Sequence, residues 1–472
     1  MKPSKRLIPV PALVGVGTAL GLVLAALFAA PRVVLVEPAG GAVNVPASTR
    51  LRLGFSQPMN VASVRAHLSI DPPLPGRYLW EARELIFEPE HFWPSGGEVK
   101  VTLTAGVRSR LGLPMLRSKS WTFEVGDPRI AYLWPAEGPA QLYARTLGDP
   151  QETDALTEAP LGVIDYAIAG DGVRVAYSVM RPEGGTELRI LNLVSLEDQQ
   201  VLACQADHPC RSPSLSPDGR WMAFERQELA LGEAGRLTTQ RRSLWLLSLR
   251  EAGPPVEVGG GEGSRASPLW SPTGWLSYYD DHIQAIIVAE VDLEGQTTPL
   301  RYIPSSLGLL GTWSPDGLAF IFPEIVFAQA ASAEDGTPSE TFYSHLYRVE
   351  IADGRTSDIS PGEKRLVEDA SPVFSPDGSW IAFTRKYLDP GRWTPGRQIW
   401  IMRADGSEAR SLTEDPDALY SALVWSPDGK RLGFMRRNLA TAGAQPEIGW
   451  LQVGSGDRQR LAQDGFLPAW IP

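Results

Sequence analysis

Two cysteines, Cys204 and Cys210, are the only ones in 472 residues, and they stand close together in CQADHPC. That spacing fits two chemistries. In an oxidising compartment the pair closes a small disulfide loop. With Asp207 and His208 between them, the thiolates would instead begin a metal site, although structural metal sites usually draw on four well-spaced ligands. No other catalytic pattern emerges. There is no G-x-S-x-G elbow for a nucleophilic serine, no H-E-x-x-H pair for zinc and no Gly-rich phosphate loop with its lysine. The five histidines, His67, His91, His208, His282 and His345, are scattered without ligand spacing. Glu88, His67 and His91 read as solvated surface, and so do Asp280 and Asp281 beside His282, the nearest thing to an acid pair. The expectation is therefore no catalytic residue, no metal, no cofactor and no enzyme.

Residues suited to binding are easier to find. The stretch KYLDPGRWTPGR (386–397) brings together Tyr387, Arg392, Trp393 and Arg397, types favoured where proteins grip partners. Arg436 and Arg437 leave a neighbouring segment, while Asp280, Asp281 and Glu324 offer the opposite charge. A basic sector beside an acidic one is the expectation. The formal charge of −11 argues against a nucleic-acid partner, which would need a basic footprint. A protein, peptide or glycan partner remains.

The elements that hold these residues come from a repeat. SPDG recurs at 216–219, 314–317, 375–378 and 426–429, with SPTG at 271–274 and a bare Asp171-Gly172. Pro, Asp and Gly in that order suit successive positions of a turn between two strands. Just after it comes a large apolar, a small and an aromatic residue, as in Met222-Ala223-Phe224 or Ile381-Ala382-Phe383, and a third strand follows. Seven such units fill residues 128–472. The first lacks its innermost strand, while the chain finishes with FLPAWIP, which matches the inner strands SPLWSP and ALVWSP. The last residues fill the vacant place and close a seven-bladed β-propeller. A six-bladed ring is the alternative, if residues 128–160 pack outside it. The segments between second and third strands, 226–242, 323–344, 385–397 and 436–446, vary most. They read as loops on the face opposite the SPDG turns, where binding residues tend to sit.

Upstream, residues 32–127 alternate as half-buried strands, VVLVEP, TRLRLGFS, HLSIDP, RELIFEP, EVKVTLTAG and SWTFEVG, the density of a β-sandwich. Before them, Lys2, Lys5 and Arg6 precede an uncharged apolar run over residues 7–30. At about 1.5 Å per residue this run spans roughly 36 Å, enough for a hydrocarbon core of about 30 Å. The basic flank places residues 1–6 in the cytoplasm and the rest outside, at the periplasm or cell surface.

Two resemblances sharpen this all-β organisation. EPAGGAVNVPASTRLRLGFSQPMN (37–60), LIFEPEHFWPSGGEVKVTLTAGV (85–107) and WTFEVG (121–126) resemble the bacterial Ig-like domain of the SbsA surface-protein type, whose modules act as spacers or adhesion units. The S-P-[DT]-G units of 128–472 resemble the WD-like propeller repeats of TolB and of prolyl-oligopeptidase-type peptidases. These likenesses imply extracytoplasmic recognition by an anchored propeller. The α/β-hydrolase domain of the peptidases is not found in this sequence. A hydrolase or lyase acting on envelope glycans and a purely structural envelope protein are the competing readings.

Overall fold

The computed structural model describes residues 30–90, 92–147, 153–232, 237–309, 311–329, 340–360 and 366–471. His91 and residues 7–29 of the expected anchor lie outside them, and among the described residues no helix is long and apolar enough to cross a membrane. Two compact units meet between Gly126 and Asp127.

In the first unit, one sheet runs in the order Val33–Glu37, Leu51–Phe55, Glu84–Pro89, Gly76–Glu81, and a second in the order Leu68–Asp71, Glu98–Leu103, Lys119–Glu124. Alternation along each strand turns Leu51, Leu53, Phe87, Val99, Val101 and Phe123 into one core. Buried Trp93 sits among them and donates its indole N–H to the Thr49 carbonyl at 2.7 Å, so its polar atom costs nothing. The strand Gly76–Glu81 and the short helix Val61–His67, capped by Asn60 on the Ser63 amide at 3.0 Å, were not among the sequence expectations.

The second unit consists of antiparallel four-stranded sheets, seven among the described residues. Each is given from its inner strand outward. The first sheet is Phe466–Ile471, Arg129–Trp134, Gln141–Thr146, Thr153–Ala155; the second is Val163–Ile168, Arg174–Met180, Thr186–Asn192, Asp198–Cys204. The third is Cys210–Leu215, Trp221–Leu231, Leu237–Ser248, Val256–Glu257; the fourth is Arg265–Trp270, Leu276–Asp280, Ala285–Val291, Thr297–Pro304. The fifth is Thr312–Trp313, Ala319–Gln329, Glu340–Glu350, Thr356–Asp358, joined to the sixth by one parallel bridge between Ser344 and Glu368. The sixth is Val367–Phe374, Trp380–Tyr387, Gln398–Arg403, Arg410–Ser411; the seventh is Ala418–Trp425, Arg431–Asn438, Glu447–Gln452, Arg458–Gln463.

The repeat signatures have clear physical roles. In each SPDG turn the serine hydroxyl donates to the aspartate and accepts an amide five residues on, as Ser216 does with Asp218 (2.6 Å) and Trp221 (2.9 Å). The Gly ends at positive φ, 65° at Gly219, where a side chain is strained. The aromatic residues after the turn fill cores between successive sheets, Tyr177 between the first and second and Phe434 between the sixth and seventh, against Leu133 and Ile401 of the facing sheets. A further core joins Ile448 of the seventh sheet to Ile130 and Trp470 of the first. Inner-strand tryptophans lace neighbours together. Trp270 Nε1 donates to the Ser214 carbonyl (3.2 Å), Trp425 Nε1 to Val373 (3.1 Å), and Trp470 Nε1, on the C-terminal strand, to Val424 (3.0 Å).

One expectation is corrected here. Among the described residues, the variable segments of the third and fifth sheets are mostly strand and not loop. Trp221–Leu231 pairs with Leu237–Ser248, and Ala319–Gln329 with Glu340–Glu350, as long two-stranded ribbons. Residues such as Leu229, Thr238 and Thr239 extend the ladder because their backbone groups find partners there more cheaply than in open loops.

Candidate functional site

The loop 386–397 is rigid by construction. The amides of Arg392 and Trp393 both donate to the Asp389 carbonyl, at 3.0 and 2.9 Å. The Arg392 guanidinium pairs with the Asp389 carboxylate at 2.7 Å and lies 4.0 Å from the Tyr387 ring centroid. Gly396 donates to the Pro416 carbonyl and Arg397 to that of Ala418, fastening the loop to the start of the seventh sheet. The Arg397 side chain reaches Glu368 at 2.6 Å. On this frame Trp393 stays 54% exposed, with Lys386 Nζ 5.0 Å from its ring centroid.

Arg436 lies beyond the same fastening. It pairs with Asp415 at 2.7 Å and with Glu447 at 3.2 Å, and it lines a cleft of about 260 Å³ in the seventh sheet. Arg437, one residue on, points to solvent. The expected basic sector is thus mostly neutralised from within, because Arg392, Arg397 and Arg436 each have a carboxylate partner.

The expected acidic sector is corrected more fully. Asp280 is buried, only 3% exposed, and bonded to Arg265 at 2.9 Å. Asp281 is exposed but holds the Ser264 amide at 2.6 Å, and Glu324 accepts the Ser306 amide at 3.0 Å. These carboxylates stabilise backbone turns and one cross-strand pair. Asp280 occupies the place in its sheet that Arg385 and Arg436 occupy in the sixth and seventh, opposite the start of the inner strand.

Cys204 and Cys210 form a disulfide with Cα atoms 5.8 Å apart, joining the last strand of the second sheet to the inner strand of the third. His208 pairs with Asp207 at 3.1 Å beside it.

Sequence reading missed a pair of carboxylates, Asp165 on the inner strand of the second sheet and Glu225 on the second strand of the third. Asp165 accepts the Ser178 hydroxyl and, across to the next sheet, the Ser212 amide at 2.9 Å. Glu225 does the same one sheet further on, taking the Ser267 amide at 2.7 Å. Ser212 and Ser267 sit at φ of 52° and 59°, kinks that turn their amides toward these acceptors. Burial pushes both carboxyls above their ordinary range. Their amide hydrogen bonds, with Arg211 near Asp165 and Arg242 near Glu225, counter this only in part, and the charge of Asp165 raises Glu225 further. Neither residue falls in a motif. The signal lies in the kinked Ser-Pro dipeptides that follow in the next repeats.

Successive four-stranded sheets, SPDG turns and a separate N-terminal sandwich are features the chain shares with TolB-like β-propeller proteins and, over its first unit, with bacterial Ig-like domains. Residues 29–125 match the bacterial Ig-like domain family. Over 125 residues the chain is 32% identical to the Tol-Pal system protein TolB of Anaeromyxobacter dehalogenans, covering 26% of this chain and 23% of that one. Over 153 residues it is 28% identical to YuxL of Bacillus subtilis, named an uncharacterized peptidase, covering 32% of this chain and 20% of the relative. The chain thus spans about a fifth to a quarter of the length of these curated relatives. A solved structure of a TolB from Agrobacterium tumefaciens aligns at a TM-score of 0.38 and 22% identity, covering 59% of this chain and 88% of that one. The relative named a peptidase overturns the expectation that the chain is not an enzyme.

Proposed function

We propose that this protein is an extracytoplasmic recognition module, anchored through residues 7–30, whose seven sheets form a closed seven-bladed propeller that takes a protein partner on the face bearing Trp393. One observation carries the reading: a half-exposed tryptophan held on a loop that is already ordered by its own hydrogen bonds and ion pairs. A preordered loop loses little entropy on binding, and exposed aromatic anchors beside cations supply much of the energy at protein interfaces. A disulfide suits an oxidising compartment, and relatives named for the Tol-Pal system support a protein partner. The core shared by the seventh and first sheets supports the closed ring.

The test is capture of a partner from native envelopes by the full chain and by its Trp393→Ala/Arg437→Ala form. Both side chains reach solvent, so the melting temperature should stay unchanged while the partner is lost. Equal capture by both forms would sink the assignment of this face. A second reading rests on Asp165 and Glu225: two buried carboxyls with raised pKa are the groups a glycan hydrolase or lyase uses as acid and base. Envelope-glycan cleavage that disappears in Glu225→Gln would support it.

A further inference from the structure

The cleft in the seventh sheet exists because one repeat departs from the others. Opposite the signature aromatic, the third strand of the first six sheets carries Tyr143, Arg189, Trp245, Ile287, Val349 and Trp400. Across from Phe434 the seventh sheet has Gly449. A Cβ added there would come within 2.8 Å of the Phe434 ring and 2.9 Å of the Gln459 carbonyl. The missing side chain leaves the cleft, floored by Phe434.

Its charge is also altered. In the second sheet the equivalent place is plugged by Arg189, which is neutralised by Glu187 at 2.7 Å and Asp198 at 3.0 Å, and Asp198 also accepts the Tyr177 hydroxyl. In the seventh sheet Arg458 stands where Asp198 stands, opposite the equivalent leucine. Three guanidiniums, Arg436, Arg458 and Arg460, therefore face two carboxylates, Asp415 and Glu447. Arg436 bonds both carboxylates, Arg460 bonds Glu447 at 3.4 Å, and Arg458 donates to the neutral Tyr420 hydroxyl at 2.8 Å. One positive charge is left over beside an apolar floor.

We infer that this cleft binds the C-terminal carboxylate of a peptide or protein partner, with Arg458 as its cation and Phe434 beneath the last side chain. The inference rests on the recognition reading of this face. It adds that the partner offers its carboxyl end. A guanidinium freed from a hydroxyl gains a charge-assisted pair with the carboxylate, while Asp415 and Glu447 face the ligand as acceptors for its amides. The cleft admits a terminal residue, not a folded domain.

The experiment is calorimetric titration of the full chain with a short N-acetylated peptide ending in leucine, as the free acid and as the C-terminal amide. The free acid should bind, and the amide about tenfold or more weakly, as expected when one charge-assisted contact is lost. Arg458→Gln should abolish the difference between the two, and Gly449→Val should close the cleft to both. If Gly449→Val does not fold, Arg458→Gln, at the exposed rim, still decides the matter. Equal binding of acid and amide, no binding of either, or binding of glucuronate in place of the peptide would each overturn the inference. A failed peptide titration with Trp393-dependent capture intact removes the cleft alone. Peptide binding that survives while Trp393→Ala leaves capture unchanged removes the loop alone.

Discussion

Arg385 and Asp369 have no exposed side-chain surface, and they meet through two hydrogen bonds of 2.7 and 2.6 Å. The guanidinium also lies 4.9 Å from the Trp400 ring centroid, and Ser360 donates to the same carboxylate. Removing one partner strands a charge in a dry core, a loss of about 3–5 kcal/mol. Arg385→Met should therefore lower the urea midpoint sharply. Replacing both residues by apolar ones should recover much of it, and a small effect of the single change would show that water reaches the pair. Glu225 poses the opposite case. Its carboxyl is raised from an ordinary 4.5, chiefly by burial, so the native state holds its proton more tightly than the unfolded chain does. Its contribution to stability is fully present below the ordinary value and is lost as pH rises through the raised one. Glu225→Gln keeps an acceptor for the Ser267 amide without the charge. It should melt above the wild type at neutral pH and level with it in acid.

The SPDG turn is the element that repeats most faithfully, and its aspartate titrates the other way. For Asp218, Asp316 and Asp377, burial pushes the carboxyl up, but hydrogen bonds from the turn serine and from following amides outweigh it and hold the group below its usual range. That stability is present above the unfolded value and is lost as pH falls through the folded one. Asp377→Ala should cost about 1 kcal/mol at neutral pH, because solvent screens the exposed carboxylate, and progressively less in acid. The SPTG turn is a built-in control. There Ser271 meets the neutral Thr273 hydroxyl at 3.0 Å, so Thr273→Ala should show no such pH dependence. Thermal melts across acidic and neutral buffers read both variants.

At the scale of the whole molecule, the proposed closure falls on the C-terminal strand. Phe466–Ile471 pairs with Arg129–Trp134, and Trp470 is buried in the core shared by the seventh and first sheets. Deleting residues 466–472 would leave Arg129–Trp134 as a bare apolar edge, the kind that pairs with other chains. The truncated protein should lose its single cooperative unfolding transition and elute as aggregates in size-exclusion chromatography. Trp470→Ala should be milder, about 3–5 kcal/mol as for other buried tryptophans, with the chain still monomeric. A truncated chain that unfolds like the full one would refute closure by this strand.

What the amino-acid sequence determined is whatever depends on short range or on repetition. A Ser-Pro-Asp-Gly turn closes within five residues, so its hydrogen bonds could be read from Ser216 to Trp221 without a fold. FLPAWIP could be matched to ALVWSP because both answer the same neighbours, and Trp470 makes the bond that Trp425 makes. The tertiary structure alone decided which charges are free. Asp280 looked like a surface carboxylate until Arg265 was brought across the ladder to it, and Arg436 looked like a free cation until Asp415 and Glu447 closed on it. Asp165 and Glu225 became a pair only because each sheet turns a kinked amide, Ser212 or Ser267, toward the sheet before it. A charge is neutralised by whatever lies a few ångströms away in space, and in these sheets those neighbours come from other strands and other repeats.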